Sequence, residues 1–276
     1  METTPCDEVN RISTVTPAIM RRAAPSAAPA PVADLHGRAL FLDVDGTLLD
    51  IAARPDAIRV PAGLVTVLAR LSDRLDGALA LVSGRAIDEL DSLFAPLQLP
   101  TAGLHGLEIR LPDGTRSSPA GEALAGPVRA EALAFAAGRP GVIVEDKRHT
   151  LAVHFRLAPD AEGAVDALAR GWLATLGAGW EIQRGKAVVE IRPVGRDKGT
   201  ALATLMRQAP FDGRVPLMVG DDLTDEHAFD MAATLGGHGV LVGHRQPSAA
   251  RFRLPDPAAV RAWLADMAQP LQESRR

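Results

Sequence analysis

"ALFLDVDGTLLD", residues 39–50, decides the fold. Its opening residues, Ala39 to Leu42, are an unbroken apolar run, as a parallel-sheet strand buried on both faces requires. The run delivers two carboxylates, Asp43 and Asp45, with Gly46 and Thr47 directly behind. Like charges at this spacing repel, and each carboxylate prefers water to the edge of a core. A surface turn accounts for one of them. Two at one strand end call for a cation.

Working outward, "AGLVTVLARLSDRL" (62–75) sets Leu64, Val67, Leu68 and Leu71 on one helical face. "GALALVSGR" (77–85) reads as a second buried strand and "AIDELDSLF" (86–94) as a helix. "TAGLHGLEIRL" (101–111) starts as a strand and turns irregular at its glycines. This β-α-β-α-β order predicts a parallel sheet with helices on both faces. The pattern then changes. Helical stretches at 121–137 and 160–175 each precede two strands in quick succession, "GVIVEDK" with "TLAVHFRL" and "GWEIQRG" with "KAVVEIRP". Short gaps between strands mean hairpins and antiparallel sheet. The expectation is an αββαββ cap at 106–193, inserted into an α/β, Rossmann-like core made of 36–105 and 194–276. The core pattern resumes with helix 198–208, strand "VPLMVG" (215–220), an acidic loop "DDLTDE" opening helix 225–233, strand "GVLVG" (239–243) and helix 257–268.

Composition narrows the class. Of 276 residues, 47% are hydrophobic and 23% charged, enough for a real core. A net charge of −4 gives no reason to expect nucleic acid or an anionic membrane as a partner, though it leaves room for a local basic patch. The single cysteine, Cys6, excludes an internal disulfide and a cysteine-based zinc site. No apolar stretch is long enough to span a bilayer. Residues 1–35, including the Ala/Pro-rich "RRAAPSAAPAPVAD", read as a disordered tail. Arg21 and Arg22 lack the apolar region a secretory signal needs. The expectation is a cytoplasmic protein, a monomer or weak oligomer.

Ligands of open parallel sheets bind beyond the C-terminal ends of the strands. Those ends carry Asp43-Val44-Asp45-Gly46-Thr47, Ser83-Gly84-Arg85, and Gly220-Asp221-Asp222 with Asp225 close behind; Asp197-Lys198-Gly199 opens the helix after the insertion. Carboxylates from two strands suit a hard cation, and all-oxygen donors select Mg²⁺. Thr47 and Ser83 offer hydroxyls to an anion. Lys198 at a helix start opposes the helix dipole, which makes sense beside an anion. Together these groups describe a phosphate site. One aspartate can attack phosphorus, and the other can protonate the leaving oxygen and then activate water.

"DVDGT", "SGR", "DKG" and "GDDLTDE", in that order, resemble the four motifs of the haloacid dehalogenase (HAD) superfamily phosphatases. The resemblance covers about residues 38–268. It implies Asp43 as nucleophile and Asp45 as general acid/base. It implies Thr47, Ser83 and Lys198 as phosphate ligands. It implies Mg²⁺ on Asp43, the Asp45 carbonyl and Asp221, supported by Asp222 and Asp225. Within the insert, "GLHGLEIR" (103–110), "VEDKRHTLAVHFR" (144–156) and "GKAVVEIRP" (185–193) resemble the trehalose-6-phosphate phosphatase family. That likeness implies Glu145, Lys147 and Glu190 as sugar contacts, with Gly103, His105 and Glu108 at the hinge edge. Alternation on the strands agrees: Glu145 and Lys147 share a face, as do Lys186, Glu190 and Arg192. A face rich in acid and base suits a polyhydroxylated sugar. The implied activity is hydrolysis of trehalose 6-phosphate, the last step of trehalose biosynthesis. Sucrose phosphate or another sugar phosphate, a sugar phosphomutase, and a phosphate-responsive binding protein remain as rivals.

Plainer readings stand beside these. Asp43 and Asp45 alone would be a solvated turn, and Ser83-Gly84 a strand-end turn. Asp197 reads as an N-cap. Asp225 and Glu226 sit in a first helical turn, where acids are favoured anyway, and Glu226 stays outside the site. His154 and Arg156 read as the solvated outer cap face, and His149 as an exposed loop residue. His227, His238 and His244 lack metal-ligand spacing. Trp172 and Trp180 read as cap core.

Overall fold

The computed structural model describes residues 26–27, 35–51, 58–117, 124–147 and 149–269. At its centre, β2 (Arg38–Leu42) is buried from Ala39 onward and pairs in parallel with β3 (Leu79–Val82) and β11 (Val215–Gly220). Burial on both faces explains the lack of polar alternation in these strands. The sheet has nine strands in the order β1-β13-β12-β11-β2-β3-β4-β5-β6. Here β1 is Ser26–Ala27, β4 Thr101–Gly103, β5 Glu108–Arg110, β6 Arg116–Ser117, β12 His238–Val242 and β13 Phe252–Leu254. Helix α1 (Leu64–Arg74) packs with α7 (Pro257–Met267), and α5 (Lys198–Met206) with α6 (Glu226–Thr234). Right-handed crossovers put these pairs on opposite faces. Helix α2 (Ile87–Phe94) covers β4 and β5.

The cap is an αββαββ unit. It runs α3 (Gly126–Ala137), β7 (Ile143–Asp146), β8 (Leu151–His154), α4 (Glu162–Leu176), β9 (Trp180–Gly185) and β10 (Val188–Pro193). Its antiparallel sheet has the order β7-β8-β10-β9. Val128, Ala132, Val153, Val165, Trp172 and Ile191 belong to a core of its own. Trp172 is buried there and its Nε1 donates to Glu131 Oε2 at 2.8 Å, while Trp180 packs against the same cluster.

Three expectations are corrected. The cap starts after residue 117, not at 106. The chain reverses through Leu104 and His105, both left-handed (φ 49° and 56°), and returns as β5 and β6, antiparallel strands of the core sheet. Arg110, buried, ties this edge down by donating to Leu99 O and to both oxygens of Asp91. The β5–β6 turn contains Asp113-Gly114, a hairpin signal visible in the sequence; Gly114 takes φ +85°. Second, Phe252–Leu254 form β13, parallel to β12, where the sequence pattern signals no strand. Third, Ser26–Ala27 form a short strand parallel to β13, inside the stretch expected to be disordered. Residues 1–25 and 28–34 lie outside the described residues.

Candidate active site

Asp43 follows β2 directly, and its N–H still bonds to Val219 O at 2.9 Å, so the neighbouring strand fixes its place. Its carboxylate is buried. Oδ1 accepts from Lys198 Nζ at 2.7 Å and Oδ2 from Thr47 Oγ1 at 3.0 Å. Lys198 reaches it because Asp197 caps α5: Asp197 Oδ1 accepts from Thr200 N at 2.7 Å, and Thr200 Oγ1 accepts from Asp197 N at 3.0 Å. Lys198 also donates to Asp225 Oδ1 at 2.7 Å. Asp225 Oδ2 accepts the N–H groups of Asp221 and Asp222, each at 2.9 Å, so every oxygen of this fully buried carboxylate is engaged.

Asp43, Asp221 and Asp225 each place a carboxylate oxygen within 4.8 Å of the others. Burial pushes the Asp43 carboxyl well above its ordinary range despite Lys198, with Asp225 and Asp221 adding to the rise. Burial likewise pushes Asp221 up to about 6, against the pull of Lys186. Burial alone would lower the Lys198 pKa, but Asp225 and Asp43 raise it. Asp43 and Asp225 share the buried Lys198, and Asp221 crowded beside them has the half-exposed Lys186, an arrangement that a hard divalent cation would relieve. Gly46 makes the approach feasible. It sits at φ +83°, and a Cβ there would stand 2.3 Å from Asp221 Oδ2. The donor set therefore fits Mg²⁺. Asp222, expected at the metal site, is not in this trio; its Oδ1 accepts from Leu223 N at 2.7 Å and caps the turn Leu223–Asp225.

Asp45 is half-buried and both its oxygens are held by Arg85, Nε to Oδ2 at 2.7 Å and Nη2 to Oδ1 at 3.0 Å. Ser83 is buried at the end of β3, and its Oγ accepts from Arg85 N at 3.2 Å. Thr47 and Ser83 thus lie close behind Asp43 and Arg85.

The cap closes over this floor. Lys147 Nζ donates to Gly84 O at 2.8 Å, a bond between cap and core. It lies 3.7 Å from Glu145 and 4.0 Å from Glu190. Glu190, on β10, is buried 3.2 Å from His105 Nε2 of the core. Burial would raise the Glu190 pKa, but Lys147 and His105 hold it well below the usual range. Glu145 is also held low: burial opposes, and His154 and Lys147 prevail. Burial lowers the His105 pKa, with Glu190 resisting.

Several sequence readings change here. His154 is no solvated outer residue: its Nε2 meets Glu145 Oε2 at 2.8 Å, and it lines the cleft with Arg156. His149 is buried rather than exposed. Glu108 does not face the cleft; its Oε2 accepts from Ile87 N at 3.0 Å and caps α2. Gly103 is a packing glycine, where a Cβ would stand 2.9 Å from Arg85 O. Lys186 leaves the face of Glu190, because Ala187 adopts φ 60° and turns the hairpin. Arg85 and Lys186 bind the site carboxylates Asp45 and Asp221, roles the sequence pattern does not assign them. Arg85 carried a signal, since it follows Ser83-Gly84 at a strand end. Lys186 did not, because its reach across the cleft depends on how the cap docks. Glu226 buttresses a loop by accepting from Ala249 N at 2.6 Å.

A parallel sheet bearing an inserted cap, with a buried aspartate, a lysine and an acidic loop at its strand ends, defines a phosphatase of the HAD superfamily. Residues 41–258 match the Trehalose-phosphatase family, and the chain belongs to it. It is thereby a phosphoric monoester hydrolase. It is 46% identical over 236 residues to a probable trehalose-phosphate phosphatase of Sinorhizobium fredii, covering 85% of this chain and 89% of the relative. It is 40% identical over 238 residues to the trehalose-6-phosphate phosphatase of Escherichia coli K12, covering 86% and 89%. The C-terminal domain of Candida albicans trehalose-6-phosphate phosphatase shares the fold, with a TM-score of 0.77 at 23% identity over 90% of this chain and 99% of that one. Among the described residues, no helix is long and apolar enough to cross a membrane.

Proposed function

We propose that this chain hydrolyses trehalose 6-phosphate to trehalose and phosphate, the last step of trehalose biosynthesis, through an aspartyl-phosphate on Asp43. The observation that carries the reading is the stacking of two chemistries. A buried Asp43–Lys198–Asp225 cluster beside Asp221 lies under a cap face that presents Glu145 and Lys147, with the buried Glu190 4.0 Å from Lys147. The Asp43 carboxylate attacks phosphorus, and the bond from phosphorus to the sugar oxygen breaks. Asp45 gives that oxygen its proton. Asp45 then takes a proton from water, whose oxygen attacks phosphorus and frees both phosphate and Asp43. Lys198, Thr47 and Ser83 hold the phosphoryl oxygens. Asp43, the Asp45 carbonyl and Asp221 would hold Mg²⁺, while Asp225, whose oxygens are all engaged, and Asp222 shape the loop around it. When bound, Mg²⁺ supplies charge neutralisation for the phosphoryl group and for the crowded carboxylates. Glu145, Lys147, Glu190 and His105 read the sugar; Gly103 and Glu108 support the hinge. The work is cytoplasmic, on a small sugar phosphate, without nucleic acid or membrane, by a monomer or weak oligomer.

The test is phosphate release from trehalose 6-phosphate, sucrose 6-phosphate and glucose 6-phosphate, with Mg²⁺ and with EDTA. The expected result is a clear preference for trehalose 6-phosphate that EDTA removes. Equal kcat/KM across the panel refutes the substrate, and a phosphoryl group returned to the sugar refutes hydrolysis in favour of a mutase.

A further inference from the structure

The hairpin joining β9 and β10 reaches from the cap into the core site. Its tip is Gly185-Lys186-Ala187, turned by the left-handed Ala187. Gly185 is seated closely: a Cβ there would stand 2.8 Å from Val188 Cγ1 and 3.4 Å from Asp222 Oδ2. Arg156 Nη2 donates to Lys186 O at 2.9 Å and steadies the tip. From this tip Lys186 Nζ donates to Asp221 Oδ2. The lysine side chain is 47% exposed, while that of Asp221 is 5% exposed, so the ammonium enters the buried trio from the solvent side. Asp43 and Asp225 already share Lys198, which leaves Asp221 to Lys186.

We propose that Lys186 is a built-in counter-ion for the cation site. It neutralises Asp221 when no divalent ion is bound, and Mg²⁺ must displace it. The inference rests on the cation site proposed above. An ammonium and a dication on the same carboxylate would repel each other strongly in a buried setting. Cation loading and docking of the hairpin tip therefore oppose each other until an anionic substrate brings charge of the other sign. By linkage, whatever docking the tip contributes to holding Asp221 is subtracted from cation affinity.

The experiment is Mg²⁺ titration calorimetry on the full chain, free of phosphate, for wild type, Lys186→Met and Lys186→Arg. It is paired with amide hydrogen exchange at the β9–β10 tip. Methionine keeps the aliphatic stem and removes the charge. Lys186→Met is expected to bind Mg²⁺ at least about fivefold more tightly, and Lys186→Arg to stay within about twofold of wild type. In wild type, Mg²⁺ is expected to speed exchange at the tip. The exchange separates displacement from mere long-range repulsion, which leaves the hairpin in place. Equal or weaker Mg²⁺ binding by Lys186→Met, or a tip whose exchange Mg²⁺ leaves unchanged or slows, overturns the proposal. Failure of all three proteins to bind Mg²⁺ overturns the cation site itself, a result distinct from an unchanged affinity ratio.

Discussion

Replacing Glu190 by glutamine isolates how the cap reads sugar. Glu190 is buried, 3.2 Å from His105 and 4.0 Å from Lys147, yet its Oε1 and the nearby Thr150 hydroxyl make no hydrogen bond of normal geometry. The Thr150 hydroxyl helps hold this carboxylate low, and a sugar hydroxyl can supply Oε1 with a further, well-aligned donor. Glutamine keeps the shape but loses the charge. It also turns one acceptor into a donor beside the Lys147 ammonium. Losing one hydrogen bond to a charged group costs about 1.5–3 kcal/mol. That is roughly a ten- to 150-fold fall in kcat/KM for trehalose 6-phosphate. A small aryl phosphate touches only the core and should change by less than about threefold. The assay is the ratio of the two kcat/KM values in wild type and variant. An unchanged ratio refutes the claim that this face reads the sugar. A stability control accompanies it. Lys147 and His105 outweigh burial and hold Glu190 below its ordinary 4.5. A carboxylate depressed in the folded state stabilises the protein above 4.5, and that contribution fades as pH falls. The melting-temperature gap between wild type and Glu190→Gln should therefore narrow in acid.

Asp43→Asn should abolish turnover, yet melt at or above the wild-type temperature, because burial disfavours the charged Asp43 and Lys198 keeps Asp225. Activity assays and calorimetric melts check both halves. Gly46→Ala should lower the melting temperature, since a left-handed non-glycine residue costs about 1–2 kcal/mol, and should weaken Mg²⁺ binding in titrations because the new Cβ displaces Asp221. Asp221, raised from 3.8 to about 6 in the fold, destabilises the ion-free protein above pH 6 and does so less as pH falls through that value. Melts with EDTA and with Mg²⁺ should accordingly show a larger Mg²⁺-induced rise at pH 7.5 than at pH 5.5.

The core was legible because its strands are continuous apolar runs, which report burial on both faces, and because each ends in residues that make no sense as core. The pattern Ala39 to Leu42 followed by Asp43 located both the strand and the site. The cap was legible as hairpins, but its start was not. Residues 104–110 look irregular, since Leu104 and His105 adopt left-handed backbone that sequence gives no reason to expect of a leucine. Short β13 and the two residues of β1 carry too little pattern to stand out. At the site, residue types were readable and pairings were not. Strand alternation put Glu145 and Lys147 on one face, but nothing local shows that Lys147 reaches Gly84 or that His105 meets Glu190. Those contacts exist only once the cap docks on the core.

The same docking bears on the proposed acid/base. Both oxygens of Asp45 accept from Arg85, so a protonated Asp45 must give up one of these bonds to donate to a leaving group. Breaking a partly buried ion pair is costly when it strands a charge. Here it does not strand one. Glu89 Oε2 already stands 3.5 Å from Arg85 Nη1, and Glu145 of the cap adds to the negative field around the guanidinium. Glu89 itself is raised by burial and by Glu145, with Arg85 pulling it down, so a closer Arg85 would stabilise it. Glu89 and Glu145 are thus acids that would compensate Arg85 if Asp45 turned away. Glu145 belongs to the face assigned to the sugar. If Asp45 is the acid/base, replacing Glu145 by glutamine should therefore slow cleavage of even a small aryl phosphate, because one of the acids compensating Arg85 is lost.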